Sequence, residues 1–139
     1  MSTATANDSH CGGRSSLVID DETDVQALLM EILADEGYHV RAVRTARHAL
    51  NVIRDEVFEV VISDLSLPDA EGIELVRQIC SEFPHVSVIA MSGFMAAIPP
   101  ARLHDAGTAA TLQKPFTARQ LLCSLSKLPH PQRVSLAVD

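Results

Sequence analysis

The chain has 139 residues, 47% of them hydrophobic and only 4% aromatic, with a net charge of −7. That is enough for one ordinary domain whose core is built mainly from Val, Ile, Leu and Ala. The negative balance argues against a nucleic-acid-binding surface, which needs clustered Lys and Arg against phosphates, and no apolar run approaches the length of a membrane span.

In chain order, residues 1–15 read as a disordered tail, polar at its start and without the basic-then-apolar layout of a signal peptide, so a cytoplasmic protein is expected. Leu17-Val18-Ile19 predicts a first strand ending in Asp20-Asp21. Thr23 and Gln26 then have capping-box spacing, and Val25, Leu28, Leu29, Ile32 and Leu33 recur at the helical period until Gly37 stops the helix. Tyr38 to Val43 predicts a second strand, placed at a sheet edge by its arginines. Thr45 caps a second helix through about Asp55, with Ala46, Ala49, Leu50 and Ile53 inward. Val60-Val61-Ile62 is a short apolar run expected to be buried on both faces, with Asp64 where strand gives way to loop. A third helix runs from about Glu71 to Glu82 and is ended by Pro84. Val86 to Met91 is a fourth strand, followed by Ser92-Gly93-Phe94. Pro99-Pro100 opens a short helix ending near Gly107. Ala109 to Gln113 is a fifth strand leading to Lys114-Pro115-Phe116. Thr117 and Gln120 form a second capping box before Leu121, Leu122, Leu125 and Leu128, and residues 129–139 read as a tail. Phe116 is expected to pack in the core. Cys11, Cys80 and Cys123 are odd in number and far apart, so we read them as reduced thiols, the last two half-buried on helix faces.

Five strands alternating with five helices imply an α/β domain over residues 16–128: a doubly wound parallel sheet in the order 2-1-3-4-5 with helices on both faces. In such a sheet the strand ends share one edge. Asp20, Asp21, Asp64, Ser92 and Lys114 therefore converge. Clustered carboxylates repel unless a cation neutralises them, and a hard, oxygen-seeking ion such as Mg²⁺ fits best. With a lysine and a hydroxyl able to bind anionic oxygens, the edge suits phosphoryl transfer, with an aspartate as acceptor.

The chain resembles the receiver domain of response regulators, the chemotaxis-regulator-like modules of two-component signalling. The resemblance rests on Val18-Ile19-Asp20-Asp21-Glu22, on Ile62-Ser63-Asp64-Leu65-Ser66-Leu67-Pro68-Asp69-Ala70-Glu71-Gly72, on Met91-Ser92-Gly93 and on Lys114-Pro115-Phe116, in order at the right strand ends. It implies that Asp64 accepts a phosphoryl group from a histidine kinase or phosphotransfer protein. Asp21 would bind Mg²⁺ directly, Asp20 mainly through water, and the Ser66 backbone carbonyl would add a ligand. Lys114 would pair with one phosphoryl oxygen and the Ser92 hydroxyl with another, and the Lys114–Pro115 bond is often cis in such domains. Three residues before the lysine the family carries Tyr or Phe as a switch. This chain has Thr111, leaving Phe94 as the candidate for an aromatic that moves with its loop.

The resemblance further implies that the chain is no enzyme beyond its own phosphorylation and dephosphorylation. No output domain is expected after residue 128, so output would pass to a protein partner over the fourth helix, fifth strand and fifth helix, where Arg102, His104, Arg119 and Gln120 lie. The chain would act as a monomer or a phosphorylation-dependent dimer. The alternatives are an interaction module that works without phosphorylation, and an Mg²⁺-dependent hydrolase of outside substrates, which would require a dedicated general base and a lid.

Overall fold

In the computed structural model, which describes residues 14–129, the chain alternates strand and helix throughout. Strand β1 (Arg14–Ile19) leads to α1 (Thr23–Asp35), β2 (Tyr38–Val43), α2 (Ala46–Asp55), β3 (Val60–Asp64) and α3 (Gly72–Glu82). Then come β4 (Ser87–Ser92), a 3₁₀ turn (Met95–Ala97), α4 (Pro100–Ala106), β5 (Ala110–Gln113) and α5 (Ala118–Ser126). The five strands form one parallel sheet in the order β2-β1-β3-β4-β5. This is the expected doubly wound order, with β2 at an edge. The predicted tails fall almost wholly on residues outside the described range.

The side-chain period of two along each strand divides the core into two layers. Leu17, Ile19 and Val61 face one way, toward Ala49, Ile53, Val76 and Ile79 of α2 and α3. Val18, Ile62, Ile89 and Met91 face the other, toward Leu29, Leu33, Leu121 and Leu125 of α1 and α5. All five residues of β3 are buried, as a central parallel strand requires. Phe116 packs against the second layer as predicted.

Several local expectations are corrected. Strand β1 begins at Arg14 because Arg14 and Ser15 already pair with Tyr38 and His39. The Thr23–Gln26 capping box does not form. The N-cap of α1 is Glu22, without a side-chain cap, and the Gln26 amide instead donates to the carbonyls of Asp20 and Val43, each at 2.8 Å. Two buried backbone acceptors on converging strand ends outcompete one helix end. The other caps hold. Thr45 accepts from His48 N–H, and Thr117 and Gln120 form a full capping box. Gly107, at the end of α4, has a left-handed φ of 102°. Cys80 is partly buried as expected, whereas Cys123 is exposed, turned outward on α5.

Candidate functional site

The site is assembled by ladder hydrogen bonds that continue past the strands. Asp20 N–H donates to Val43 O at 3.1 Å, Leu65 N–H to Met91 O at 2.8 Å and Lys114 N–H to Ser92 O at 2.9 Å. Each bond fixes a strand-end residue against its neighbour in the sheet, so the polar groups share one edge.

Three strand-end side chains also bend the exiting chain in the same way. Asp20 Oδ1 accepts Glu22 N–H at 2.8 Å, Asp64 Oδ1 accepts Ser66 N–H at 3.0 Å, and Ser92 Oγ accepts Phe94 N–H at 2.9 Å. These are short side-chain turns of the kind Asp and Ser favour. They free the backbone from the strand direction and hold each carboxylate or hydroxyl near its own strand end.

Asp20, Asp64 and Ser92 are buried, with 0%, 4% and 4% of their surface exposed. Asp21 is partly buried, and Asp20, Asp21 and Asp64 each bring one carboxylate oxygen within 4.8 Å of the others. Lys114 reaches into this cluster. Its Nζ lies 2.8 Å from Asp20 Oδ2, 2.9 Å from Asp64 Oδ2 and 2.9 Å from Glu22 Oε1. Burial by itself would lower the lysine pKa, but the three carboxylates against it hold it above the ordinary lysine range. For Asp20 burial wins: its pKa lies above the usual carboxylate range despite Lys114 and the Glu22 N–H.

The donor set suits a hard divalent cation. Asp20 Oδ2 is buried and accepts no hydrogen bond, since its approach to Lys114 is an ion-pair contact outside hydrogen-bonding geometry. A buried oxygen of that kind gains from a cation. Asp21 and Asp64 offer two further oxygens close by, and a hollow of about 630 Å³ opens over Asp21, Asp64, Ser66 and Lys114.

Most of the residues singled out in the sequence meet here. Asp21, Asp64, Ser66, Phe94 and Lys114 line the hollow, with Asp20 buried beneath Lys114. The Lys114–Pro115 peptide is cis. Ser92 lies at the end of the adjacent strand, its hydroxyl engaged by Phe94 N–H. Phe94 stands 76% exposed on the rim. Thr111 lies apart, exposed on β5 and lining a separate, smaller hollow with Gln120, Ser124 and Lys127.

Two residues had no role in the sequence reading beyond their place in a motif. Glu22 completes the carboxylate set around Lys114. Asp69 accepts the Ala46 and Arg47 N–H groups that open α2, and these donors hold its carboxyl below the usual range. The run Asp20-Asp21-Glu22 was a signal for the first. The second had none, since its donors lie more than twenty residues away in sequence.

Comparison with known proteins agrees with this geometry. The family model of the response regulator receiver domain matches residues 17–126. The response regulator protein FleR of Pseudomonas aeruginosa is 34% identical over 106 residues, which cover 76% of this chain and 22% of FleR. The response regulator receiver protein CpdR of Brucella abortus is 28% identical over 112 residues, covering 81% of this chain and 93% of CpdR. A crystal structure of a response regulator protein from Burkholderia pseudomallei, with a phosphorylated aspartic acid, calcium ion and citrate, matches at a TM-score of 0.73 and 25% identity. That match covers 89% of this chain and 72% of that one. The chain belongs to the response regulator receiver domain family of two-component signalling.

Proposed function

We propose that Asp64 is the phosphoacceptor of a Mg²⁺-dependent receiver, charged by a histidine kinase or phosphotransfer protein. One observation carries this reading: the Asp64 carboxylate lines an open hollow while Lys114 Nζ holds its Oδ2 at 2.9 Å and Asp20 and Asp21 stand within 4.8 Å. The phosphorylated aspartate and calcium ion of the Burkholderia relative support it.

In this mechanism an Asp64 oxygen attacks phosphorus and forms the new O–P bond. The bond from phosphorus to the donor's leaving atom breaks, and its electron pair leaves with the donor. A carboxylate nucleophile has no proton to remove, which explains why no general base is required beside it. Asp20, Asp21, Asp64 and the Ser66 carbonyl would hold Mg²⁺, which when bound supplies positive charge against the phosphoryl oxygens. Lys114 provides fixed positive charge on the sheet side of the site. Ser92 would turn its hydroxyl from Phe94 N–H to a phosphoryl oxygen, releasing that amide and its loop.

The chain would catalyse only its own phosphorylation and dephosphorylation. Its signal would leave through a protein partner over α4, β5 and α5, where Arg102, His104, Arg119 and Gln120 are exposed. A cytoplasmic location is part of the proposal. Cys80 and Cys123 are unpaired thiols, and no described helix is long and apolar enough to cross a membrane.

The test is intact mass after incubation with acetyl phosphate and Mg²⁺. Wild type should gain one phosphoryl group, and Asp64→Asn or added chelator should abolish the gain. Equal labelling of wild type and Asp64→Asn would overturn the assignment. A second reading, an interaction module that works without phosphorylation, is favoured by the small, exposed Thr111 set apart from the site. Its signature is a partner that binds wild type and Asp64→Asn equally.

A further inference from the structure

We propose that Glu22 is a displaceable latch on Lys114: it holds the ammonium until a phosphoryl group arrives and then yields it. Glu22 is thus a positioning residue that sets how readily Asp64 is phosphorylated. The inference rests on the reading of Asp64 as phosphoacceptor.

The three near neighbours of Lys114 Nζ are all carboxylates, at 2.8 Å (Asp20), 2.9 Å (Glu22) and 2.9 Å (Asp64). Two of them take N–H donors of the ammonium and the third, Asp20 Oδ2, crowds it as an ion-pair contact, so a phosphoryl oxygen gains room at Lys114 when one carboxylate withdraws. Asp20 is the least free to move. Its side chain is fully buried, and its other oxygen is fixed by Glu22 N–H at 2.8 Å. Asp64 is the attacking group and is 4% exposed. Glu22 differs from both. Its side chain is 62% exposed, so water can receive it when it swings away.

The position of Glu22 points the same way. It occupies the N-cap of α1, where a short Ser, Thr, Asp or Asn would normally accept a helix N–H. Its side chain makes no such bond. It extends instead across the mouth of the hollow to a lysine 92 residues away in sequence. Glu22 also lines that hollow beside Asp21 and Asp64, in the path of an anionic donor. An exposed ion pair is weak enough to be exchanged for a phosphoryl–lysine contact during a single turnover.

The experiment compares wild type, Glu22→Gln and Glu22→Asp in Mg²⁺. It follows the rate of phosphorylation against acetyl phosphate concentration and, separately, saturation by beryllofluoride. Glu22→Gln should lower the half-saturating concentration of both probes by about two- to fivefold, the range expected for an exposed pair, with a smaller change in the limiting rate. Glu22→Asp keeps the charge but is one methylene too short to reach Lys114, so the latch predicts that it behaves like Glu22→Gln. Wild-type behaviour of Glu22→Asp beside a faster Glu22→Gln would overturn the latch in favour of simple repulsion of the anion. Unchanged half-saturation in Glu22→Gln, with wild type phosphorylated normally, would overturn the latch alone. Failure of folded wild type to take any phosphoryl group or beryllofluoride would overturn the phosphoacceptor reading and the latch with it.

Discussion

Asp69 caps a helix to which it does not belong: its two carboxylate oxygens accept the backbone N–H groups of Ala46 at 2.8 Å and Arg47 at 3.0 Å. With Thr45 Oγ1 taking His48 N–H at 3.1 Å, three of the free donors at the start of α2 are satisfied. The negative charge also meets the positive end of the helix. The loop that carries Ser66 beside Asp64 is thereby tied to a neighbouring helix. Asp69→Ala should lower the melting temperature at neutral pH. The Ala46 and Arg47 N–H groups hold the Asp69 carboxyl below the ordinary aspartate range in the folded protein. Its contribution is therefore complete above the ordinary pKa of an unfolded aspartate and lost as the pH falls through the lower folded pKa. Thermal melts at neutral pH and near pH 3 check this: the gap between wild type and Asp69→Ala should narrow in acid, and a constant gap would contradict it.

Gly72 is constrained by space. A Cβ there would stand 2.3 Å from Leu65 Cα and 2.6 Å from Leu65 C and O, all backbone atoms of the loop after β3. Gly72→Ala should therefore cost about 3 kcal/mol or more, toward the upper end for overpacking, because backbone cannot rotate away. Gly93, in the loop after β4, has open space at the same position. Gly93→Ala should stay within about 0.5 kcal/mol of wild type. Chemical denaturation of the two variants decides it, and equal stabilities would show that the loop yields.

Four carboxylates, Asp20, Asp21, Glu22 and Asp64, are gathered around one lysine. Without divalent cation, Asp21→Asn should be at least as stable as wild type, because it removes one like charge from the cluster. Mg²⁺ should reverse the order. A ligand that binds only the folded state stabilises by about 2.7 kcal/mol at a hundredfold excess over its Kd, and wild type should gain most of that while Asp21→Asn gains less. Melts with and without Mg²⁺ are the measurement, and parallel shifts in the two proteins would remove Asp21 from the cation site.

The Ser92 hydroxyl and the Phe94 amide share one hydrogen bond of 2.9 Å. If Ser92 turns to a phosphoryl oxygen, that amide loses its acceptor. The Phe94 N–H resonance should therefore shift on adding beryllofluoride and Mg²⁺, and Ser92→Ala should abolish most of the shift. The same substitution should cost about 1 kcal/mol in stability, the usual value for one hydrogen bond. An unmoved Phe94 resonance in wild type would sever the link between Ser92 and the exposed aromatic.

By itself, the sequence determined the parts and their order. Strand and helix periods, the Thr45 and Thr117 caps and the terminators at Gly37, Pro84 and Gly107 are local properties of the chain, and local interactions suffice to produce them. Alternation of strand and helix then left few right-handed topologies, which brought Asp20, Asp21, Asp64, Ser92 and Lys114 to one edge before any distance was known. What only the tertiary structure decided are the choices among partners distant in sequence. Gln26 left its expected cap because Asp20 O and Val43 O offered two acceptors at 2.8 Å. Asp69 found donors on α2, and Glu22 found Lys114 across 92 residues. Cys123 on α5 turned outward, where periodicity had it half-buried. The physical reason is common to Gln26, Asp69 and Glu22. A polar side chain goes to whichever donor or acceptor folding brings within about 3 Å, and spacing along the chain carries no information about groups that meet only after the sheet has closed.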